Sequence, residues 1–353
     1  MTDKRIDTIF SKKKLYRVPI WFMRQAGRYL PEYRNLRSKF PCFIEFCMNQ
    51  NAVIEATLQP IKRFELDAAI IFSDILIIPY SLGVNVQFLK NKGPILEQVN
   101  SIKKLKNLST NKTEDVFYNV YNAINKVKNI LSVDYKRTSL IGFAGSPWTV
   151  ACYMVEGQGS KNFAIARKLA YKEREFFDDL IELLVKTTTK YLCGQIESGA
   201  EIIKLFDSWA GLLPKDEYFR WVINPTKKIV KSIKKVYPNV PIIGFPRGSG
   251  EHYINYAKIT GVDVVAIDET VPILWAKNNL QNIKMLQGNL DNVLLTADNK
   301  ELLSKNIEEI LEVLGSKPFI FNLGHGILPN TCISSLKYAI EKVRNYEKCK
   351  NHK

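Results

Sequence analysis

With 353 residues, 46% hydrophobic and 24% charged, the chain has the make-up of a globular protein with ample core material, not of a disordered or fibrous one. Its most apolar stretch, 68–89, is interrupted by Ser73, Asp74, Pro79, Ser81 and Asn85, and its first residues carry no long apolar run, so neither a membrane span nor a secretory leader is expected. The net charge of +16 suits a nucleic-acid binder, but lysines such as Lys103, Lys126, Lys228 and Lys235 are scattered along helix faces without interleaved aromatics, which points to a solvated surface that also favours a small polyanionic ligand.

Short apolar, often β-branched runs recur along the chain, at 19–23, 68–72, 139–143, 201–206, 241–245, 262–267, 283–286 and 318–321. Helix-period segments, among them 162–191 and 225–236, separate most of them. Eight alternating units predict a parallel sheet closed into a (β/α)8 barrel, one domain over residues 1–353. A doubly wound open sheet has the same alternation and is the competing arrangement. The stretch 90–137 is too long for a simple connection, so an extended β/α connection with two extra helices is expected there. Residues 345–353 are polar and charged and are expected to fray. The six cysteines (Cys42, Cys47, Cys152, Cys193, Cys332, Cys349) form no C-x-x-C pair and read as reduced, buried thiols of a cytoplasmic protein.

A barrel demands functional groups just after its strands, on one face. The first run ends in Met23-Arg24-Gln25-Ala26-Gly27-Arg28, two guanidiniums four positions apart amid Trp21, Phe22 and Tyr29, a setting that argues for partial burial. Arginine is a fixed fork for carboxylate or phosphate and stays charged, so the pair is suited to an anion. The second run leads into Ser73-Asp74, a carboxylate among apolar residues that must be paired, hydrogen-bonded or protonated. A salt bridge to Arg24 and a ligand-facing role are the two readings. Later strand ends carry Gly145-Ser146-Pro147, Asp207-Ser208, Pro246-Arg247-Gly248, Asp268, Gly288-Asn289-Leu290-Asp291 and Gly324-His325-Gly326. His325 is flanked by glycines that permit close approach, Tyr153 either packs or faces the site, and Ser208 reads first as a helix N-cap. No G-x-S-x-G, P-loop, G-x-G-x-x-G or H-E-x-x-H motif occurs.

At these residues the chain resembles the uroporphyrinogen decarboxylase family. Pro19-x-Trp21-x-Met23-Arg24-Gln25-Ala26-Gly27-Arg28 is similar to its first signature, and 142–149 with 153–157 to its second. Phe72-Ser73-Asp74-Ile75-Leu76, Gly288-Asn289-Leu290-Asp291 and Gly324-His325-Gly326 agree in order. Asn292 and Cys332 depart from positions that often hold proline. The resemblance implies a TIM-type barrel, a homodimer without metal or organic cofactor, and conversion of the four acetates of uroporphyrinogen to methyl groups in haem synthesis. It implies Asp74, Arg24 and Arg28 as catalytic residues, and Gln25, Ala26, Gly27, Arg37, Phe72, Tyr153, Ser208 and His325 as further substrate contacts. It leaves the general acid unassigned. Two rivals stand beside it. One is a cobalamin-linked methyltransferase holding zinc through histidine and cysteine, although no cysteine neighbours His325 at ligand spacing. The other is a basic nucleic-acid binder.

Overall fold

Seven parallel strands are hydrogen-bonded in chain order in the computed structural model, which describes Lys4, Ile6, Phe10, residues 17–89 and residues 92–350. Most of the first sixteen residues, on which the absence of a leader was expected, lie outside the described set, as do 351–353 with His352. The barrel strands are β1 (Ala68–Ile70), β4 (Ser139–Gly145), β5 (Ile202–Asp207), β6 (Ile242–Pro246), β7 (Val264–Ala266), β8 (Met285–Leu290) and β9 (Phe319–Leu323). β4, β6 and β9 are buried at every residue. Parallel strands covered on both faces read as continuous apolar runs, which is why their positions match the sequence pattern.

The expected strand at 19–23 is reduced to a two-sided bridge. Ile20 pairs in parallel with Phe321, whose N–H donates to Pro19 O at 2.9 Å, and on the other side Asp67 N donates to Ile20 O at 3.0 Å. The segment thus closes the gap between β9 and β1, and the open-sheet alternative is excluded. Pairing stops at Met23 because its N–H goes to the Asn322 side chain (3.1 Å) instead of the ladder. Arg24 then turns into the left-handed region at φ 57, which uncouples the following loop from the sheet.

The extended connection holds the two expected helices, Ile102–Lys106 and Thr113–Asp134, and also an antiparallel hairpin, β2 (Val86–Leu89) with β3 (Gly93–Leu96). The expected helix over 162–191 breaks at Glu173 (φ −116, ψ 66) into Ala164–Lys172 and Arg174–Glu197. The C-terminal helix runs Ile333–Lys350, so 345–350 continue it rather than fray. Cys47 and Cys152 are buried, whereas Cys42, Cys193 and Cys332 are only half-buried, and all five are free thiols. Among the described residues no helix is long and apolar enough to cross a membrane.

Candidate active site

The chain leaves β1 through a run of short-range bonds that set Asp74 in place. Ile71 N still donates to Ile141 O, Phe72 N turns to Thr57 Oγ1 at 2.9 Å, and Asp74 Oδ1 accepts from Leu76 N at 2.8 Å. That last bond is a self-closing Asp turn leading into the helix Ile77–Ser81. Among the described residues no other donor reaches the Asp74 carboxylate and no ion pair joins it to Arg24, so the salt-bridge reading is not realised. Asp74 is half-buried. Burial raises its carboxyl from 3.8 to about 6, against the opposing pull of the Leu76 N–H and the Arg24 charge.

Arg24 and Arg28 are both exposed, contrary to the partial burial expected of them, because their aromatic neighbours Trp21, Phe22 and Tyr29 turn into the core while the guanidiniums turn out. The Arg24 stem lies against the Gly324-His325-Gly326 loop. A Cβ on Gly326 would stand 2.4 Å from Arg24 Cδ, so glycine there is a space requirement. Gln25 points the other way: it is 1% exposed, and its amide donates to Phe22 O and Ala68 O. A ligand contact from Gln25 therefore has to come from its backbone. Among the described residues the N–H groups of Gln25, Ala26 and Gly27 donate to no protein acceptor, and consecutive free N–H groups after a left-handed residue form a concavity suited to anions.

The other candidates fall around this loop. Arg37, half-buried, lies over Phe43 and Phe46 at 5.6 and 5.9 Å, with its guanidinium donating to Phe40 O. Phe72 joins the same aromatic cluster, 4.8 Å from Phe46 and 5.6 Å from Tyr33. Tyr33 senses Arg37, Arg28 and Asp74 together. Tyr153, in the helix Pro147–Glu156, packs edge-on against Phe163 at 5.3 Å and lies beside Trp209; burial raises its phenol, and the charges of Asp74 and Arg24 both reach it. Ser208 is not a helix cap: the following short turn, Ala210–Leu212, begins at Trp209 without a side-chain cap. Ser208 is half-buried, and its hydroxyl has no hydrogen-bond partner among the described residues. His325 is driven down to about 3 by burial and by the Arg24 and Arg247 charges, so its imidazole is neutral at physiological pH. Asn292 Nδ2 donates to Gly326 O at 2.7 Å and braces the histidine loop, which gives the proline-lacking position a function of its own.

Three further charged groups stand at or below the rim, two at strand ends the sequence marked and one that it did not. Arg247 pairs with Glu269 at 3.0 Å beside His325. Asp268 accepts from Gly248 N, Tyr253 Oη and Thr270 N and so ties the loops after β6 and β7 together. Both lie at strand ends, where the sequence places them, although it assigns neither a role. Lys204, fully buried on β5, could have been found as a lysine inside an apolar run. Among the described residues no group of three or more His, Cys, Asp or Glu side chains is arranged to hold a metal.

A model of the uroporphyrinogen decarboxylase family matches residues 1–346. The chain is 46% identical over 333 residues to the uroporphyrinogen decarboxylase of Rickettsia bellii (strain RML369-C), covering 93% of this chain and 95% of that protein. It is 47% identical over 331 residues to the protein of that name from Rickettsia africae (strain ESF-5), covering 94% of each. The barrel is shared with a methyltransferase from Methanosarcina mazei, at a TM-score of 0.75 and 16% identity over 97% of this chain and 98% of that one. At 16% identity that likeness concerns the fold alone.

Proposed function

Because the chain belongs to the uroporphyrinogen decarboxylase family, we propose that its reaction runs at the barrel rim where Asp74, Arg24, Tyr153 and His325 share one field. The protein is a carboxy-lyase of haem biosynthesis that converts the four acetate side chains of uroporphyrinogen to methyl groups, giving coproporphyrinogen and carbon dioxide. Losing carbon dioxide from an acetate requires a sink for the electron pair left behind. Protonation of the adjacent pyrrole carbon makes the ring a cation. The C–CO2 bond then breaks, its electrons neutralise the ring, and the resulting exocyclic methylene takes a proton to become methyl while the ring carbon gives its added proton back, restoring the neutral pyrrole. The substrate is its own sink, so the chemistry calls for no metal or organic cofactor.

The observation that carries this reading is Asp74: a carboxylate in apolar walls with one oxygen held by Leu76 N and, among the described residues, no cation paired to it. Such a group can accept the converging pyrrole N–H groups and stabilise the ring cation in a site of low dielectric. Arg24, Arg28 and Arg37 hold rim carboxylates, helped by the free N–H groups of Gln25, Ala26 and Gly27. Neutral His325, Tyr153 and Ser208 supply hydrogen bonds to side-chain carboxylates, and Phe72 belongs to the apolar wall. The chain works as one domain over residues 1–353, as a cytoplasmic homodimer, on a small molecule and not on nucleic acid. The test is incubation with uroporphyrinogen under anaerobic reducing conditions, with products separated by carboxyl count. A ladder descending from eight carboxyls to four is expected; unchanged substrate in the presence of folded protein overturns the reading.

A further inference from the structure

Lys204 has no part in the mechanism above. It is fully buried in the middle of β5, and among the described residues its Nζ has no hydrogen-bond partner. The faces of three rings enclose it, with Nζ 5.0 Å from the Trp21 and Phe206 centroids and 5.2 Å from that of Phe245. Cation–π contacts recover only part of what an ammonium loses on leaving water without a counter-ion. Burial accordingly pushes this amine well below the ordinary lysine range. A methionine would fill similar volume without that cost.

The three rings lead to the site. Trp21 is three residues before Arg24. Phe206 is half-exposed and two residues before Ser208. Phe245 is two residues before Arg247 and lies 6.2 Å from the His325 ring. The charge of Lys204 reaches His325. We propose that Lys204 is a positioning residue acting from beneath the site: the charge state of its amine, carried through Phe206, Phe245 and His325, decides whether the space above can hold a cationic pyrrole ring.

This rests on the cationic-ring reaction proposed above. With the amine neutral, the cation whose charge reaches Asp74 is Arg24 at the rim. With the amine protonated, a further positive charge lies under the ring and opposes its cation. Lys204 exchanges its proton with solvent and forms no bond to substrate. On its flanks, β4 and β6 carry no titratable side chain. Asp207, on β5 itself, is engaged by Thr149 Oγ1 of the outer helix at 2.5 Å. On the site side the facing groups are His325, with Arg24, Arg247 and Asp268 around it.

The experiment compares pH profiles of kcat for wild type, Lys204→Met and Lys204→Arg, with folding followed by circular dichroism. In Lys204→Met the acid limb keeps the titration of Asp74, raised to about 6, and lacks that of the lysine. In wild type, protonation of Lys204 adds to that limb and steepens it, so the loss of kcat on acidification is on the order of tenfold smaller in Lys204→Met, as for a unit charge removed from roughly 10 Å away. Lys204→Arg, charged at every pH, loses about tenfold in kcat at pH 8 with KM little changed. Superimposable normalised profiles of wild type and Lys204→Met overturn the inference, and Lys204→Gln gives the same comparison should the methionine variant not fold. An inactive Asp74→Asn beside superimposable profiles overturns this inference alone, whereas an active Asp74→Asn overturns the reading it rests on.

Discussion

Replacing Asp74 by asparagine separates what the carboxylate does for the reaction from what it costs the fold. The carboxyl rises from 3.8 to about 6 on folding, which at 1.36 kcal/mol per pH unit corresponds to about 3 kcal/mol disfavouring the folded ionised form. The sign follows from the raised value. Below pH 3.8 the group is protonated in both states and costs nothing; the penalty grows as pH rises to about 6 and is constant above. Asparagine is neutral at every pH, and its amide oxygen can keep the bond from Leu76 N. Asp74→Asn is therefore expected to be more stable than wild type by up to about 3 kcal/mol at pH 8 and equal to it near pH 3.5. Urea denaturation at the two pH values, read by circular dichroism, measures this. Turnover at pH 8 is expected to fall by a factor of about 10² to 10³, the usual loss when one preorganised electrostatic partner of a transition state is removed. Wild-type turnover in a folded Asp74→Asn refutes the catalytic role, and an absent stability gain at pH 8 refutes the desolvation argument behind it.

Three further outcomes are expected. Arg28→Lys replaces a two-pronged fork by a point charge, so KM for uroporphyrinogen should rise about tenfold with kcat less affected, measured by steady-state kinetics; an unchanged KM removes Arg28 from substrate binding. Gly326→Ala brings a Cβ to 2.4 Å from Arg24 Cδ and 2.6 Å from Cγ, so the arginine must move. Its kcat/KM should drop by about tenfold while the melting temperature stays close to wild type, and a wild-type kcat/KM contradicts the packing argument. His325 is held at about 3, below its ordinary 6.5, so it contributes stability above pH 6.5 that is lost as pH falls from there toward 3. Imidazole nitrogen resonances should remain those of a neutral ring from pH 8 to pH 5, and His325→Gln should flatten the acid-side loss of stability in urea titrations; a ring titrating at its ordinary value contradicts both.

The barrel strands were readable because covered parallel strands are apolar on both faces, and their runs stand out from the helix-period segments between them. The first strand was overread, since nothing local announces that the Asn322 side chain, 299 residues away, takes the Met23 N–H. The β2–β3 hairpin is not legible in the sequence because each strand is only four residues long and Gly93-Pro94 reads as a turn. Around the site, motif order located the Arg24 loop, Asp74 and the histidine loop. Side-chain direction was not readable: Gln25 turns inward and the two arginines outward within four residues, a consequence of the left-handed turn at Arg24. The burial of Lys204 is not legible in the sequence, because a lysine in a strand run looks like an edge position until the strand is known to lie mid-barrel.

The most direct measurement is a crystal structure of the protein with coproporphyrinogen bound under reducing conditions. The account predicts the four pyrrole nitrogens gathered within about 2.7–3.2 Å of the Asp74 carboxylate, and rim carboxylates on the Arg24, Arg28 and Arg37 guanidiniums. A macrocycle seated with its nitrogens turned away from Asp74 contradicts it.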